Sequence, residues 1–162
     1  MAVKSVGAKI TPESQLRSLI EKFDPKDQRL IRSVRTAVRK RLPTANELVY
    51  DYRTFFIIGY SPTENGIESI VSIAARTDGV RLYFMNGPKL PDPKKLLIGS
   101  AKLVRFIQVE AASRVKHPDV EALIAAAIDR AGVPLASKGS GRLITKTSAA
   151  KQRPRRKRSG GR

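Results

Sequence analysis

The chain has 162 residues, 41% of them hydrophobic and 28% charged, a balance that supports one domain with its own core and is too apolar for a wholly disordered polypeptide. It contains no cysteine and a single histidine, which excludes disulfides, thiolate metal sites, a cysteine nucleophile and a histidine-rich metal site. The formal net charge of +18 is the outlier and points to polyanionic partners.

Along the chain, Met1 to Ile10 carries Lys4 and Lys9 with no apolar run behind them and reads as a flexible N-terminus. The longest apolar runs, Ala122 to Ile128 and Phe55 to Ile58, are far too short to span a bilayer, so a cytoplasmic protein away from membranes is expected. From Pro12 to Phe23, Leu16, Leu19, Ile20 and Phe23 fall at the spacing of one helical stripe, with Thr11 as N-cap and Pro12 at the first helical position. From Lys26 to Leu42, Leu30, Ile31, Val34, Ala37, Val38 and Leu42 keep the same period until Pro43 ends the element.

After Pro43 the period changes. Leu48–Tyr52, Phe55–Tyr60, Ile67–Ala75, Val80–Met85 and Leu103–Gln108 are rich in β-branched and aromatic residues and read as strands, with a shorter one near Leu96–Ile98. The runs Ser61 to Gly66 and Thr77-Asp78-Gly79 have turn chemistry, so Phe55 to Met85 is expected to form an antiparallel meander. A closing helix begins at Pro118, where Asp119 and Glu121 complement its N-terminal dipole, and Gly132 and Pro134 stop it. The predicted fold class is therefore α+β: an antiparallel sheet of five to six strands with helices packed on one face and helices at both ends of the domain, spanning residues 11–135.

Beyond Leu135 the composition turns to Ser, Gly, Lys, Arg and Pro, with Leu143 and Ile144 the only sizeable apolar residues, and residues 136–162 are expected to be a disordered basic tail. Those residues carry ten cations and no acid, leaving 22 cations and 14 acids, a formal +8, on residues 1–135.

Three stretches resemble the YdhG-like domain family, a group of small bacterial proteins. They are the second helix running into Leu42-Pro43-Thr44-Ala45-Asn46-Glu47-Leu48-Val49-Tyr50-Asp51-Tyr52, the segment Leu90-Pro91-Asp92-Pro93-Lys94-Lys95-Leu96-Leu97-Ile98-Gly99-Ser100 with Lys102 and Arg105, and the helix Pro118–Arg130. The resemblance spans roughly Leu16 to Arg130. It implies a frataxin-like arrangement of helices on a sheet, and relatives described as iron chaperones. Iron ions prefer carboxylate oxygen or imidazole. The nearest carboxylates, Glu13, Glu21, Asp24 and Asp27, are interleaved with Arg17, Lys22 and Lys26, so charge disfavours iron as a partner and iron handling is the alternative expectation.

The first expectation is non-specific binding of nucleic acid or another polyanion. On the second helix, Arg29, Arg32, Arg35, Arg39 and Lys40 fall on the arc opposite the apolar stripe, and Asp27 is the only acid in that helix. In the tail, Lys151, Arg153, Arg155, Arg156, Lys157 and Arg158 are dense enough to bind phosphates by counterion release, and the absence of an aromatic there argues against base stacking. Lys94, Lys95, Lys102 and Arg105 flank a Gly99-Ser100 turn but lack the spacing of a phosphate-binding loop, and read as a basic surface hairpin. Glu47, Tyr50 and Tyr52 form the most site-like polar and aromatic group and are a possible pocket edge, although cross-strand packing explains them as simply. His117, just before Pro118, reads as a helix-start residue or a surface side chain. No nucleophile, metal or paired-carboxylate motif is present, so no catalytic residue, no metal ligand and no cofactor is expected, and an enzyme is not.

Overall fold

The computed structural model describes residues 10–146. Helix α1, Pro12–Ile20, starts in a capping box: Ser14 N donates to Thr11 Oγ1 at 3.1 Å and Thr11 N donates to Ser14 Oγ at 2.9 Å. Helix α2, Pro25–Arg41, buries Ile31, Val34, Ala37 and Val38, the stripe that its 3.6-residue period predicts. Helix α3, Pro118–Asp129, is capped by His117, whose Nδ1 accepts from Asp119 N at 3.2 Å, as a helix-start role requires. Arg41 Nε donates to both carboxylate oxygens of Glu121 at 2.8 and 2.9 Å and ties α2 to α3.

The sheet contains β1 (Asn46–Asp51), β2 (Phe56–Ser61), β3 (Val71–Arg76), β4 (Gly79–Met85), β5 (Val104–Val109) and β6 (Leu143–Lys146), in the order β5-β4-β3-β2-β1-β6. The first five run antiparallel, each hydrogen-bonded to its neighbour in sequence; turns after Ser61 and at Thr77-Asp78 fold β2, β3 and β4 back on one another, whereas β4 and β5 are joined by the longer segment of residues 86–103. Period-two alternation puts Val49, Ile58, Ile73, Leu82 and Ile107 in one row across all five strands, each fully buried. Leu16 and Ile20 of α1, Ile31 and Val34 of α2, and Val120, Leu123 and Ile124 of α3 join that row in a single core. The three helices therefore share one face of the sheet, and burying each large side chain contributes about 1.5–3 kcal/mol.

The α+β class and helices at both ends agree with the sequence, but four details differ. The sheet is mixed, because β6 runs parallel to β1. Residues 136–146 are accordingly part of the ordered domain, not of a disordered tail, and the domain boundary moves past Leu135 to at least Lys146; the rest of the predicted tail lies outside the described residues. The strand expected at Leu96–Ile98 is reduced to one bridge, Ile98 to Phe106, since Asp92 uses its carboxylate to accept from Leu96 N and Leu97 N and holds the preceding loop in a turn. The run expected from Ile67 to Ala75 is split by a 3₁₀ turn at Gly66–Glu68, with Asn65 Oδ1 accepting from Ile67 N, and the strand begins only at Val71. Among the described residues, no helix is long and apolar enough to cross a membrane.

Candidate anion-binding groove

The amphipathic helices α1 and α2 lie side by side on the sheet, and the seam between them opens into a groove of about 570 Å³. On α1 it is lined by Glu13, Leu16, Arg17 and Ile20, at the i, i+3, i+4, i+7 spacing of one helical stripe. On α2 it is lined by Arg32, Arg35, Thr36, Arg39 and Lys40, which repeat along one flank in the same way. Pro43 and Ser140 complete it. Five cations thus face a single acid among the lining residues, Glu13, and no aromatic side chain is present.

Ser140 arrives there because of β6. Gly141 N donates to Pro43 O at 3.0 Å, Arg142 N to Asn46 Oδ1 at 2.9 Å and Glu47 N to Arg142 O at 2.8 Å, stitching residues 141–142 across the turn between α2 and β1. A Cβ at position 141 would overlap the Ala45 carbonyl, so only glycine lets the chain pass so closely.

The groove rests on a buried charge network. Glu47, only 3% exposed, sits on β1 facing the helices. Arg35 grips it with Nε on Oε2 at 2.9 Å and Nη2 on Oε1 at 2.8 Å, the two parallel bonds of a guanidinium–carboxylate fork. Tyr60, opposite Glu47 on β2, donates its hydroxyl to Oε2 at 2.7 Å, and Arg39 Nε lies 3.4 Å from Oε1. The hydrogen bond to Glu47 raises the Arg35 guanidinium above its ordinary pKa despite burial, which fixes its positive charge. Burial first, and then the Glu47 charge and hydrogen bond, push the Tyr60 phenol well above its ordinary value, so it stays a neutral donor.

The structure sorts the predicted residues differently from the helical arc. Arg29, Arg32, Arg39 and Lys40 are exposed, as expected. Arg35 is not: its side chain is 15% exposed and committed to Glu47, because it sits at the flank of the helix nearest the sheet. The group Glu47, Tyr50 and Tyr52 does not form one pocket edge, since alternation along β1 sends Glu47 to the helix face and Tyr50 to the opposite face. Tyr50 lies against Gly66 under the loop after β2, and burial raises its phenol pKa, with Tyr52 adding to the effect. Tyr52 stacks on Phe55 at 4.9 Å and lines a separate hollow of about 350 Å³ with Phe23, Asp24 and Asp27.

Lys94, Lys95 and Lys102 are exposed on a surface loop, whereas Arg105 turns back to donate to the Ala101 and Val104 carbonyls. Lys151, Arg153, Arg155, Arg156, Lys157 and Arg158 lie outside the described residues. Of the carboxylates considered for iron, Glu13 is paired with Arg35 at 3.3 Å, and among the described residues no group of three or more His, Asp or Glu is placed to hold a metal ion. Three polar groove residues, Arg17, Thr36 and Ser140, have no binding role in the sequence-derived set. Arg17 was readable from its helical spacing to Glu13, while Ser140 depends on a strand pairing that local pattern does not contain. Compared with family models, with curated proteins and with solved structures, the chain matches none.

Proposed function

We propose that this is a non-enzymatic nucleic-acid-binding protein that holds phosphates without regard to base sequence, using the cationic flank of α2 and the basic C-terminal segment. The observation that carries the reading is the groove itself, where Arg17, Arg32, Arg39 and Lys40 are exposed and Glu13 is the one acid among the lining residues. Exposed guanidinium groups on a rigid helix suit phosphate oxygens. Arg142, just before β6, pairs with Glu64, and Lys146 at the end of β6 donates to the Glu64 carbonyl, so these two cations lie at the loop after β2 and outside the groove. The absence of aromatic residues from the groove supports backbone contact over base recognition.

Binding to a duplex over a salt series tests this directly. With about six phosphates engaged, log K should fall against log[salt] with a slope of roughly −5. Truncation after Lys146, which removes seven cations but leaves β6 intact, should flatten the slope while measurable binding persists. Replacing Arg32, Arg39 and Lys40 by alanine in that truncated chain should then abolish binding. Affinity that ignores salt would refute the reading.

A further inference from the structure

Resting on that reading, we propose that the α1–α2 groove is a discrete site for a phosphate monoester, the terminal phosphate of a nucleic-acid chain or of a nucleotide, with Arg35 as its preset contact and Glu13 as its internal competitor. Most surface arginines have to be ordered before they bind an anion, which costs side-chain entropy. Arg35 is ordered already: Nε and Nη2 are held on Glu47, and Glu47 is held in turn by Tyr60. That fork leaves Nη1 without a hydrogen bond among the described residues, on a side chain that lines the groove.

Glu47 offsets the charge of Arg35, but it leaves Arg17, Arg32, Arg39 and Lys40 exposed around the groove and does not itself face the entering anion. It is buried beneath the groove and absent from its lining, so an entering anion meets guanidinium groups and not the carboxylate. Arg39 leans the same way, with Nε toward Glu47 and half of its side chain exposed. The exposed acid Glu13 reaches across from α1 to Arg35 Nη2 at 3.3 Å, occupying a donor that a phosphate oxygen would use. Glu13 is 59% exposed, so swinging it into solvent costs little.

The charge favours a monoester over an internal diester. A monoester carries about −1.5 to −2 at neutral pH with three terminal oxygens, whereas each backbone diester carries a single charge. Four exposed cations, Arg17, Arg32, Arg39 and Lys40, set around the Arg35–Glu47 pair reward the higher charge. At the C-terminal end of α2 the groove is lined by Pro43 and Ser140, where Gly141 N donates to Pro43 O at 3.0 Å.

The test compares the full-length protein on a short oligonucleotide bearing a 5′-phosphate or a 5′-hydroxyl, at one fixed salt concentration. The phosphorylated form should bind about tenfold more tightly, the gain expected of one fully formed charge-assisted contact. Glu13→Gln, an exposed change that leaves the fold intact, should enlarge that preference several-fold, and Arg35→Lys should erase it. Should Arg35→Lys fail to fold, the Glu13→Gln result decides alone. A nucleoside 5′-monophosphate as competitor separates the two sources: displacement at micromolar concentration assigns the site to free nucleotides, and displacement only in large excess assigns it to chain ends. Equal, salt-sensitive binding of both oligonucleotides overturns the monoester site and leaves general phosphate binding standing. Binding of neither overturns both.

Discussion

At Glu47 three side chains converge on one carboxylate, and the consequences reach both stability and binding. A buried carboxylate is costly unless its oxygens are satisfied. Here Arg35 and Tyr60 supply the bonds, and Tyr60 is fully buried. Because burial lifts the Tyr60 phenol well above its ordinary 10.0, the folded protein keeps the proton at a pH where the unfolded chain has begun to release it. The stability contributed by the neutral phenol is thus complete below that pH and is lost as pH rises past it, with a slope of up to about 1.4 kcal/mol per pH unit. Thermal melts between neutral and strongly alkaline pH should show a decline that Tyr60→Phe makes shallower. At neutral pH the same variant should be less stable by about 1–3 kcal/mol, measured by urea unfolding, because one Glu47 oxygen loses a donor. An alkaline decline identical in both proteins would show that Tyr60 does not titrate in this way. Sequence alone suggested Glu47 as a pocket residue and Arg35 as a surface cation. Neither side chain carries a local signal of the other, since they sit on different elements and meet only when α2 packs on β1.

Among the elements, β6 is the one whose placement matters most and shows least in the sequence. Four residues, Leu143–Lys146, pair in parallel with β1 and add the outer strand of the sheet. Their composition is that of a loop: only Leu143 and Ile144 are sizeable apolar residues, flanked by Gly141 and Arg142 on one side and Lys146 on the other. A parallel edge strand needs a distant partner, and here the partner is 96 positions away, at the Asn46 side chain and the Glu47 amide. The helices and the meander, by contrast, are legible because periodic burial and turn chemistry act over a few residues. Gly141 provides the test. Alanine there must displace the Ala45 carbonyl, so Gly141→Ala should destabilise the domain by about 1–3 kcal/mol in urea unfolding. It should also disturb the groove, because Ser140 shifts with it. Glycine at position 139 lies in open space, at a φ of +93° that itself favours glycine, so Gly139→Ala controls for backbone strain without a clash.

For the whole molecule, charge is the dominant property, and it is unevenly used. Of the seven cations in α2, Arg35 and Arg41 are spent on Glu47 and Glu121, and Arg39 leans toward Glu47 while half exposed. The rest of the +18 repels itself, so the fold is under electrostatic strain at low ionic strength. Raising salt from about 10 mM to 150 mM shortens the screening length from roughly 30 Å to 8 Å. The melting temperature should therefore rise over that range, and rise less for the chain ending at Lys146, which carries seven fewer cations. A melting temperature unaffected by salt would mean that the positive groups are too far apart to interact. By itself the sequence determined the class, the helices, the antiparallel meander from Phe55 to Met85 and the excess of positive charge, because each follows from residue type and short-range spacing. Only the tertiary structure decided which cations are free and which are paired, that Glu47 lies under the helices, and that Leu143–Lys146 closes the sheet. Those are contacts between residues far apart in the chain, and burial against a specific partner is not encoded in local period.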